Sequence, residues 1–156
     1  MHSKKLREVA GKFTTGITVV TIKNKENETV GMTANSFVSI SLNPALVGFF
    51  VMSDAVLLED LKINSSIAIS ILSSKQEDIS NQFAGLNKED IDIEYEKDSE
   101  YSIIKDALAW YKTKIQSIEQ IGDHHMIVCS VKELHKDDEK QPLLYYSGYK
   151  LISNNL

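Results

Sequence analysis

Uncharged polar side chains at alternate positions of one segment are the clearest chemical signal in this sequence. Residues 30–42 predict a β-strand, with room for a bend near its middle, and successive side chains of a strand point to opposite faces. One face carries a set without any charge: Thr33, Asn35, Phe37, Ser39 and Ser41. Such donors and acceptors match the ring edge of a flat heteroaromatic ligand. An ordinary exposed strand rich in Thr and Ser is the alternative, and composition alone favours it.

A histidine at the start of another predicted strand is the second candidate. His124 follows Gly122-Asp123, so it either holds that turn through Asp123 or presents its ring to a ligand, and the residues alone favour the turn. His125 points to the opposite face of the strand, which argues against a metal shared by the two imidazoles. Cys129 is predicted to be a buried packing residue. The sequence predicts no metal site.

Composition narrows the class of protein. The 156 residues fit one domain spanning 1–156, and the 22 Asp and Glu against 17 Lys and Arg give a formal net charge of -5. This balance argues against nucleic-acid binding, which needs a basic surface. The single cysteine excludes an internal disulfide. No apolar run is long enough to span a membrane and no apolar signal core follows the N-terminus, so a cytoplasmic protein is expected.

The elements that must position these residues are predicted to be mainly β. Apolar residues at helical spacing predict a helix over 3–13. Strands are predicted at four places in the first half of the chain: 16–22, 30–42, 46–52 and 67–72. A hairpin turn is expected at 23–28 and a short helix at 56–63. The 30–42 strand is expected to turn a largely apolar face to the core, formed by Met32, Ala34, Ser36, Val38, Ile40 and Leu42.

The second half of the chain continues this pattern. Ser74 and Glu77 have the spacing of a capping box, which predicts a helix that starts there and ends near Gly85. Residues 88–106 hold eight acidic and three basic side chains and predict an exposed excursion over the surface. Three further strand candidates lie between 108 and 152. Roughly six or seven strands with two or three short helices indicate a mainly β barrel with helical additions.

Five short motifs together resemble the short-chain flavin reductase family, whose members include the reductase components of two-component aromatic monooxygenases. In chain order the motifs are Gly16-Ile17-Thr18-Val19-Val20-Thr21; Gly31-Met32-Thr33-Ala34-Asn35-Ser36-Phe37 with Ser39 and Ser41-Leu42-Asn43-Pro44; Gln76 with Phe83-Ala84; Gly122-Asp123-His124; and Pro142-Leu143-Leu144-Tyr145 with Gly148-Tyr149. Each motif alone is weak. Their order, spacing and extent, from about Leu6 to Ile152, make the resemblance specific.

The resemblance implies a fold and a binding site. The implied fold is a mainly β split barrel of the Greek-key, FMN-binding type with a few short helices, forming a homodimer with one flavin per subunit at or near the interface. The implied flavin contacts are Thr33, Ala34, Asn35 and Ser36 along the ring, and Ser39, Ser41 and Ser53 toward the ribityl and phosphate end. His124 is expected near the nicotinamide, as a donor to its amide or as a group that stabilises charge on reduced flavin. Tyr149 is expected to approach the site.

The same resemblance implies an enzyme. Hydride would pass from NADH or NADPH to FMN or FAD, and the reduced flavin would supply a partner monooxygenase. A non-catalytic or electron-transfer FMN-binding flavoprotein is the alternative, and a flavin-free binding module is a third hypothesis. One departure concerns the flavin phosphate. Ser or Thr residues usually follow the third strand in the family, whereas this chain has Asp54-Ala55, and a carboxylate opposes a nearby phosphate even if Asp54 caps a helix.

Overall fold

A computed structural model describes the structure of residues 3–147. These residues form two α-helices, α1 (Ser3–Ala10) and α2 (Glu77–Phe83), and a 3₁₀ helix at Val56–Glu59. The nine strands are β1 (Thr15–Gly16), β2 (Thr18–Lys23), β3 (Thr29–Ala34), β4 (Val38–Leu42), β5 (Ala45–Met52), β6 (Ser66–Ile71), β7 (Ala109–Ile121), β8 (His124–Lys136) and β9 (Leu144–Tyr145). The predicted mainly β class is confirmed. Among residues 3–147, no helix has the length and apolar character needed to cross a membrane.

Seven of the strands form one antiparallel sheet in the order β3-β2-β6-β7-β8-β5-β4, and β1 pairs separately with β9. Strands β3 and β4 are consecutive in the chain, yet they lie at opposite edges of this sheet. Ser36, in the connection between them, reaches β5: its hydroxyl accepts a hydrogen bond from the Phe50 N–H at 3.0 Å and donates one to the Phe50 carbonyl at 3.3 Å. The sheet therefore curls until its two edges approach each other.

The prediction of one strand over 30–42 is wrong, because the chain leaves the sheet at 35–37. Phe37, expected on the uncharged polar face, instead stacks on Tyr111 of β7 with ring centroids 5.5 Å apart. Val38, Ile40 and Leu42, expected in the core, are between 39% and 91% exposed. Alternation of faces holds only within a continuous strand, and the crossing from one sheet edge to the other resets it.

The core lies on both sides of the strands in the middle of the sheet. Val20 of β2 packs in the main apolar cluster with Phe49 and Ile127. Its neighbour Val19 points to the other face and packs in a second cluster, which includes Leu72. Both faces of β2 are therefore buried, which accounts for its almost continuous run of β-branched residues.

The second half of the acidic segment covers one of these faces. Residues 101–104 are buried, so the prediction that 88–106 is exposed is wrong for this part. The Thr21 hydroxyl donates to the Ser102 carbonyl at 2.6 Å, and the Ile104 N–H donates to the Ser70 hydroxyl at 3.0 Å. Most acidic residues of the segment lie before residue 101. They dominate its composition, so composition does not indicate the short apolar run at 101–104.

The predicted capping box does not form at α2. The helix begins at Glu77 rather than near Ser74, and no side chain caps its N-terminus. Gln76 instead joins the segment before α2 to residue 105: its Oε1 accepts from the Ser73 N–H at 3.0 Å, and its Nε2 donates to the Lys105 carbonyl at 2.8 Å. This buried amide explains why Gln76 belongs to the motif that precedes Phe83-Ala84.

The segment after β5 is shorter than predicted. The helix expected over 56–63 is a single 3₁₀ turn, Val56–Glu59. Its N-cap is Ala55, and no side chain makes a capping hydrogen bond, so Asp54 does not cap a helix. The Asp54 side chain is exposed beside Ser53. Asp54 therefore places an exposed carboxyl group at the end of β5.

Candidate functional site

A small cleft lies where β3 ends, beside the β1–β9 pair and the end of α2. Its volume is about 190 Å³, and it is lined by Ile17, Thr33, Asn35, Ala84 and Tyr145. The walls combine apolar surface with a hydroxyl, a carboxamide and a phenol, and none of these side chains carries a charge at neutral pH. This composition suits the edge of an uncharged heteroaromatic ring.

Hydrogen bonds to other parts of the protein fix residues 33 and 34 beside this cleft. The Thr33 hydroxyl donates to the Ser80 carbonyl of α2 at 2.6 Å, and the Ala34 carbonyl accepts from the Thr18 hydroxyl at 2.8 Å. The Asn35 side chain is exposed and makes no hydrogen bond to another residue within the described range 3–147. Asn35 therefore has two donors and an acceptor available for a ligand.

The serines predicted at the site differ in exposure and in the hydrogen bonds that they can offer to a ligand. The single hydroxyl hydrogen of Ser36 is directed to Phe50, so a ligand can reach only the lone pairs of its oxygen. Ser39 is exposed and Ser41 is half-buried, and the β4–β5 register shifts between them. A bulge of this kind re-aims side chains, so these two serines do not simply continue the face that carries Thr33.

Four polar residues at the β7–β8 turn and the end of β5 form a second cluster, the histidine corner: Ser53, Asp123, His124 and His125. The turn has two residues, and Gly122 adopts a φ of +64°, which glycine reaches without steric cost. The Ser53 N–H donates to the Asp123 carbonyl at 3.0 Å. The Ser53 hydroxyl also lies 3.3 Å from His125 Nδ1.

Within the histidine corner, Asp123 fixes the orientation of His124, as the sequence predicts. His124 Nδ1 lies 2.7 Å from Asp123 Oδ1, and because a carboxylate only accepts, Nδ1 carries the proton. This hydrogen bond is the main cause that lowers the pKa of the Asp123 carboxyl, and the charges of His124 and Arg7 lower that pKa further. The opposite ring nitrogen, Nε2, is thereby directed away from Asp123. His124 is partly exposed, so this atom is accessible to a ligand.

The structure thus divides the predicted site residues into groups. Thr33 and Asn35 share the cleft, whereas Ser53 and His124 belong to the histidine corner, and the two groups have no described residue in common. Tyr149 lies outside the described residues. Sequence reasoning missed three cleft residues, Ile17, Ala84 and Tyr145, although all three stand in motifs of the family resemblance. It also missed His125, and no signal in the sequence marks the contact of His125 with Ser53.

Neither the single cysteine nor a metal site adds chemistry to the described part of the chain. Cys129 is fully buried, and burial raises the pKa of its thiol to about 11, with a weaker opposing effect from a hydrogen bond with Thr113. Such a thiol stays protonated and inert at neutral pH. Within 3–147, no group of three His, Cys, Asp or Glu side chains is placed to hold a metal ion.

The curled antiparallel sheet and its uncharged cleft are compatible with a flavin-binding oxidoreductase, and the comparisons with known proteins assign the chain to that class. The chain belongs to the flavin reductase like domain family, whose model matches residues 10–152.

Named relatives agree with this assignment. The chain is 36% identical over 147 residues to the reductase component of 4-hydroxyphenylacetate 3-monooxygenase from Thermus thermophilus, with 94% of each chain covered. Among solved structures it is similar to the flavin reductase PheA2 in its native state, with a TM-score of 0.90, 34% identity, and 99% and 100% of the two chains covered. A third relative is an NADH:FAD oxidoreductase from Streptomyces globisporus, solved with NAD and FAD fragments. It shows a TM-score of 0.85, 31% identity, and coverage of 97% and 93%.

Proposed function

We propose that this protein is an NAD(P)H-dependent flavin reductase that reduces FMN or FAD and supplies the reduced flavin to a partner monooxygenase. The observation that carries the proposal is the uncharged cleft with the free Asn35 carboxamide at the end of β3. The relatives named above support it, since one is a monooxygenase reductase component and another is an NADH:FAD oxidoreductase. We further propose that residues 1–156 form a single split-barrel domain that works in the cytoplasm.

The proposed roles of the residues are those that the family resemblance implies. Thr33, Ala34, Asn35 and Ser36 lie along the flavin ring, and Ser39, Ser41 and Ser53 border its ribityl and phosphate end. Tyr149, which lies outside the described residues, keeps its proposed role of approaching the site. His124 contacts the nicotinamide. When both are bound, the reduced nicotinamide supplies hydride to the flavin, so the protein needs no acid–base triad. Its task is to orient the two rings, and Asp123 assists by holding the His124 imidazole.

A change at Asn35 tests the cleft. We expect Asn35→Leu to weaken flavin binding without unfolding the protein, because the Asn35 side chain contributes no hydrogen bond to the described fold. One lost hydrogen bond to the ligand is worth roughly 0.5–1.5 kcal/mol, and up to about 3 if a buried ligand group stays unpaired. Titration of flavin fluorescence measures this loss. Unchanged flavin affinity in the folded variant would remove Asn35 from the site. Ser36→Leu is less informative, because it also breaks the contact with Phe50.

We propose that two copies of the chain complete the site as a homodimer. A cleft of about 190 Å³ is smaller than the roughly 300–1,000 Å³ typical of ligand pockets. Strand β4 exposes an apolar row, Val38, Ile40 and Leu42, at an edge of the sheet, where a second copy would cover it. Sedimentation at micromolar concentration is expected to give twice the chain mass of 17.5 kDa. A monomer that binds flavin with full affinity would contradict a shared site.

An anaerobic assay separates the reductase from the electron-transfer alternative. Purified protein is mixed with NADH and free FMN, and the loss of oxidised-flavin absorbance is followed. A reductase bleaches many equivalents of FMN, at a rate proportional to the protein concentration. If FMN binds but neither NADH nor NADPH reduces it above the rate without protein, the protein is an electron-transfer or storage flavoprotein.

A further inference from the structure

We propose that His125 is a positioning residue for the phosphate end of the flavin, and that it acts by directing the hydroxyl of Ser53. This inference rests on the proposed function, since it concerns the same flavin site. From the sequence alone, His125 is expected to have no part in the site, because it faces away from His124. The contact of His125 with Ser53 is the reason to revise that expectation.

Ser53 is held by two independent contacts at the end of β5. Its backbone N–H donates to the Asp123 carbonyl at 3.0 Å, and its hydroxyl lies 3.3 Å from His125 Nδ1. Both contacts come from residues of the β7–β8 hairpin. Strand β8 of this hairpin also pairs with β5, where His125 lies opposite Val51. The position of Ser53 is therefore set by the sheet rather than by the mobility of a surface loop.

The position of Ser53 along β5 also fits the phosphate end. Phe50 marks the ring end, because its backbone is bound by Ser36 of the cleft segment. Ser53 lies three residues further on, which corresponds to about 10 Å along an extended strand. A polar tail that leaves the ring and follows β5 would arrive at the hydroxyl of Ser53.

The chemistry of a hydroxyl explains why it needs a partner. Ser53 has one hydroxyl hydrogen, and a phosphate accepts hydrogen bonds but donates few. When His125 Nδ1–H donates to Ser53 Oγ, the hydroxyl hydrogen is left to point at a phosphate oxygen. Without His125, that hydrogen can turn to other acceptors, such as the neighbouring carboxylate of Asp54. His125 thus selects the useful orientation of the hydroxyl.

The charges around the corner explain why this contact matters here. Asp54 places an exposed carboxylate next to Ser53, and Asp123 places another beside His124. The imidazole of His124 is hydrogen-bonded to Asp123, whereas that of His125 contacts the Ser53 hydroxyl. By engaging the Ser53 hydroxyl oxygen, His125 keeps that hydroxyl from turning to Asp54, so it reduces the unfavourable effect of Asp54 through Ser53.

The test compares a flavin that has a phosphate with one that lacks it. FMN and riboflavin are titrated by fluorescence, without nicotinamide, into the wild type and the variants His125→Ala, His125→Gln and Ser53→Ala. We expect His125→Ala to weaken FMN binding about tenfold, the value of a hydrogen bond to a charged group, while riboflavin binding changes little. His125→Gln keeps a donor near Ser53 and is expected to recover most of the FMN affinity. His135→Ala, at the far end of β8, is the matched control.

A double variant shows whether the two residues act together. If His125 acts through Ser53, Ser53→Ala with His125→Ala should bind FMN no more weakly than Ser53→Ala alone. Equal losses of FMN and riboflavin affinity in folded His125→Ala, additive losses in the double variant, or equal affinities of the wild type for the two flavins would each overturn the proposal. Because the titration contains no nicotinamide, a failed reductase assay leaves this result independent, and the two proposals can fail separately.

Discussion

Replacing His124 by alanine is expected to slow the reduction of flavin by NADH while flavin affinity stays nearly intact. The hydrogen bond to Asp123 engages Nδ1 of His124 and leaves Nε2 of this partly exposed ring available to contact the nicotinamide. The loss of one positioning contact costs roughly 1–2 kcal/mol, which is about a five- to thirtyfold lower rate. Single-turnover reduction of bound FMN under anaerobic conditions measures the effect, and fluorescence titration gives the flavin affinity of the same variant.

His135→Ala is the control for this experiment, because His135 lies on the same strand but stacks on Trp110 at the other end. It should reduce flavin at the wild-type rate. Asp123→Asn adds a second measurement, since it weakens the hold on His124 while leaving the imidazole in place. Its rate is expected to lie between those of wild type and His124→Ala. Wild-type rates in both corner variants would mean that His124 only holds the turn.

Replacing Gly31 by alanine is expected to destabilise the protein by about 1–3 kcal/mol, and by more if strand pairing is lost. A Cβ atom at this position would lie 2.4 Å from the Val20 carbonyl oxygen and 3.0 Å from the Phe83 ring. The first contact is with backbone, so β2 and β3 must separate locally. The second contact, with the Phe83 ring, pushes α2 outward. Ser80 of α2 accepts the hydrogen bond of the Thr33 hydroxyl, so this shift reaches the cleft. We therefore expect flavin affinity to fall together with stability.

Gly16→Ala is the matched control, because a Cβ at Gly16 meets no atom within 4 Å and its φ is not positive. Its stability should stay within about 0.5 kcal/mol of the wild type. Urea titrations give the midpoint of unfolding for each variant. An unchanged dependence of the unfolding free energy on urea concentration shows that both variants unfold in the same way. A Gly31→Ala protein as stable as the wild type would mean that Phe83 and β2 yield at little cost.

The mainly β fold and much of its order could be read from the sequence. β-Branched residues place β2 and β6, an apolar run places β5, and Gly122-Asp123 places the turn between β7 and β8. These signals are local: side-chain shape favours an extended backbone, and a glycine with positive φ allows a two-residue turn. The pairing of Asp123 with His124 is equally local, because the two residues are adjacent. Motif order was enough to indicate the family.

The tertiary structure decided what joins distant parts of the chain. No periodicity shows that β3 and β4 lie at opposite edges of the sheet, so the break at 35–37 and the stacking of Phe37 on Tyr111 could not be predicted. The same holds for Phe83 above Gly31 and for Ser53 beside His125. Such contacts depend on strand order and register, which the packing of the whole core determines. Sequence alone therefore established the elements and the family, and the arrangement of the sheet established which side chains meet at the site.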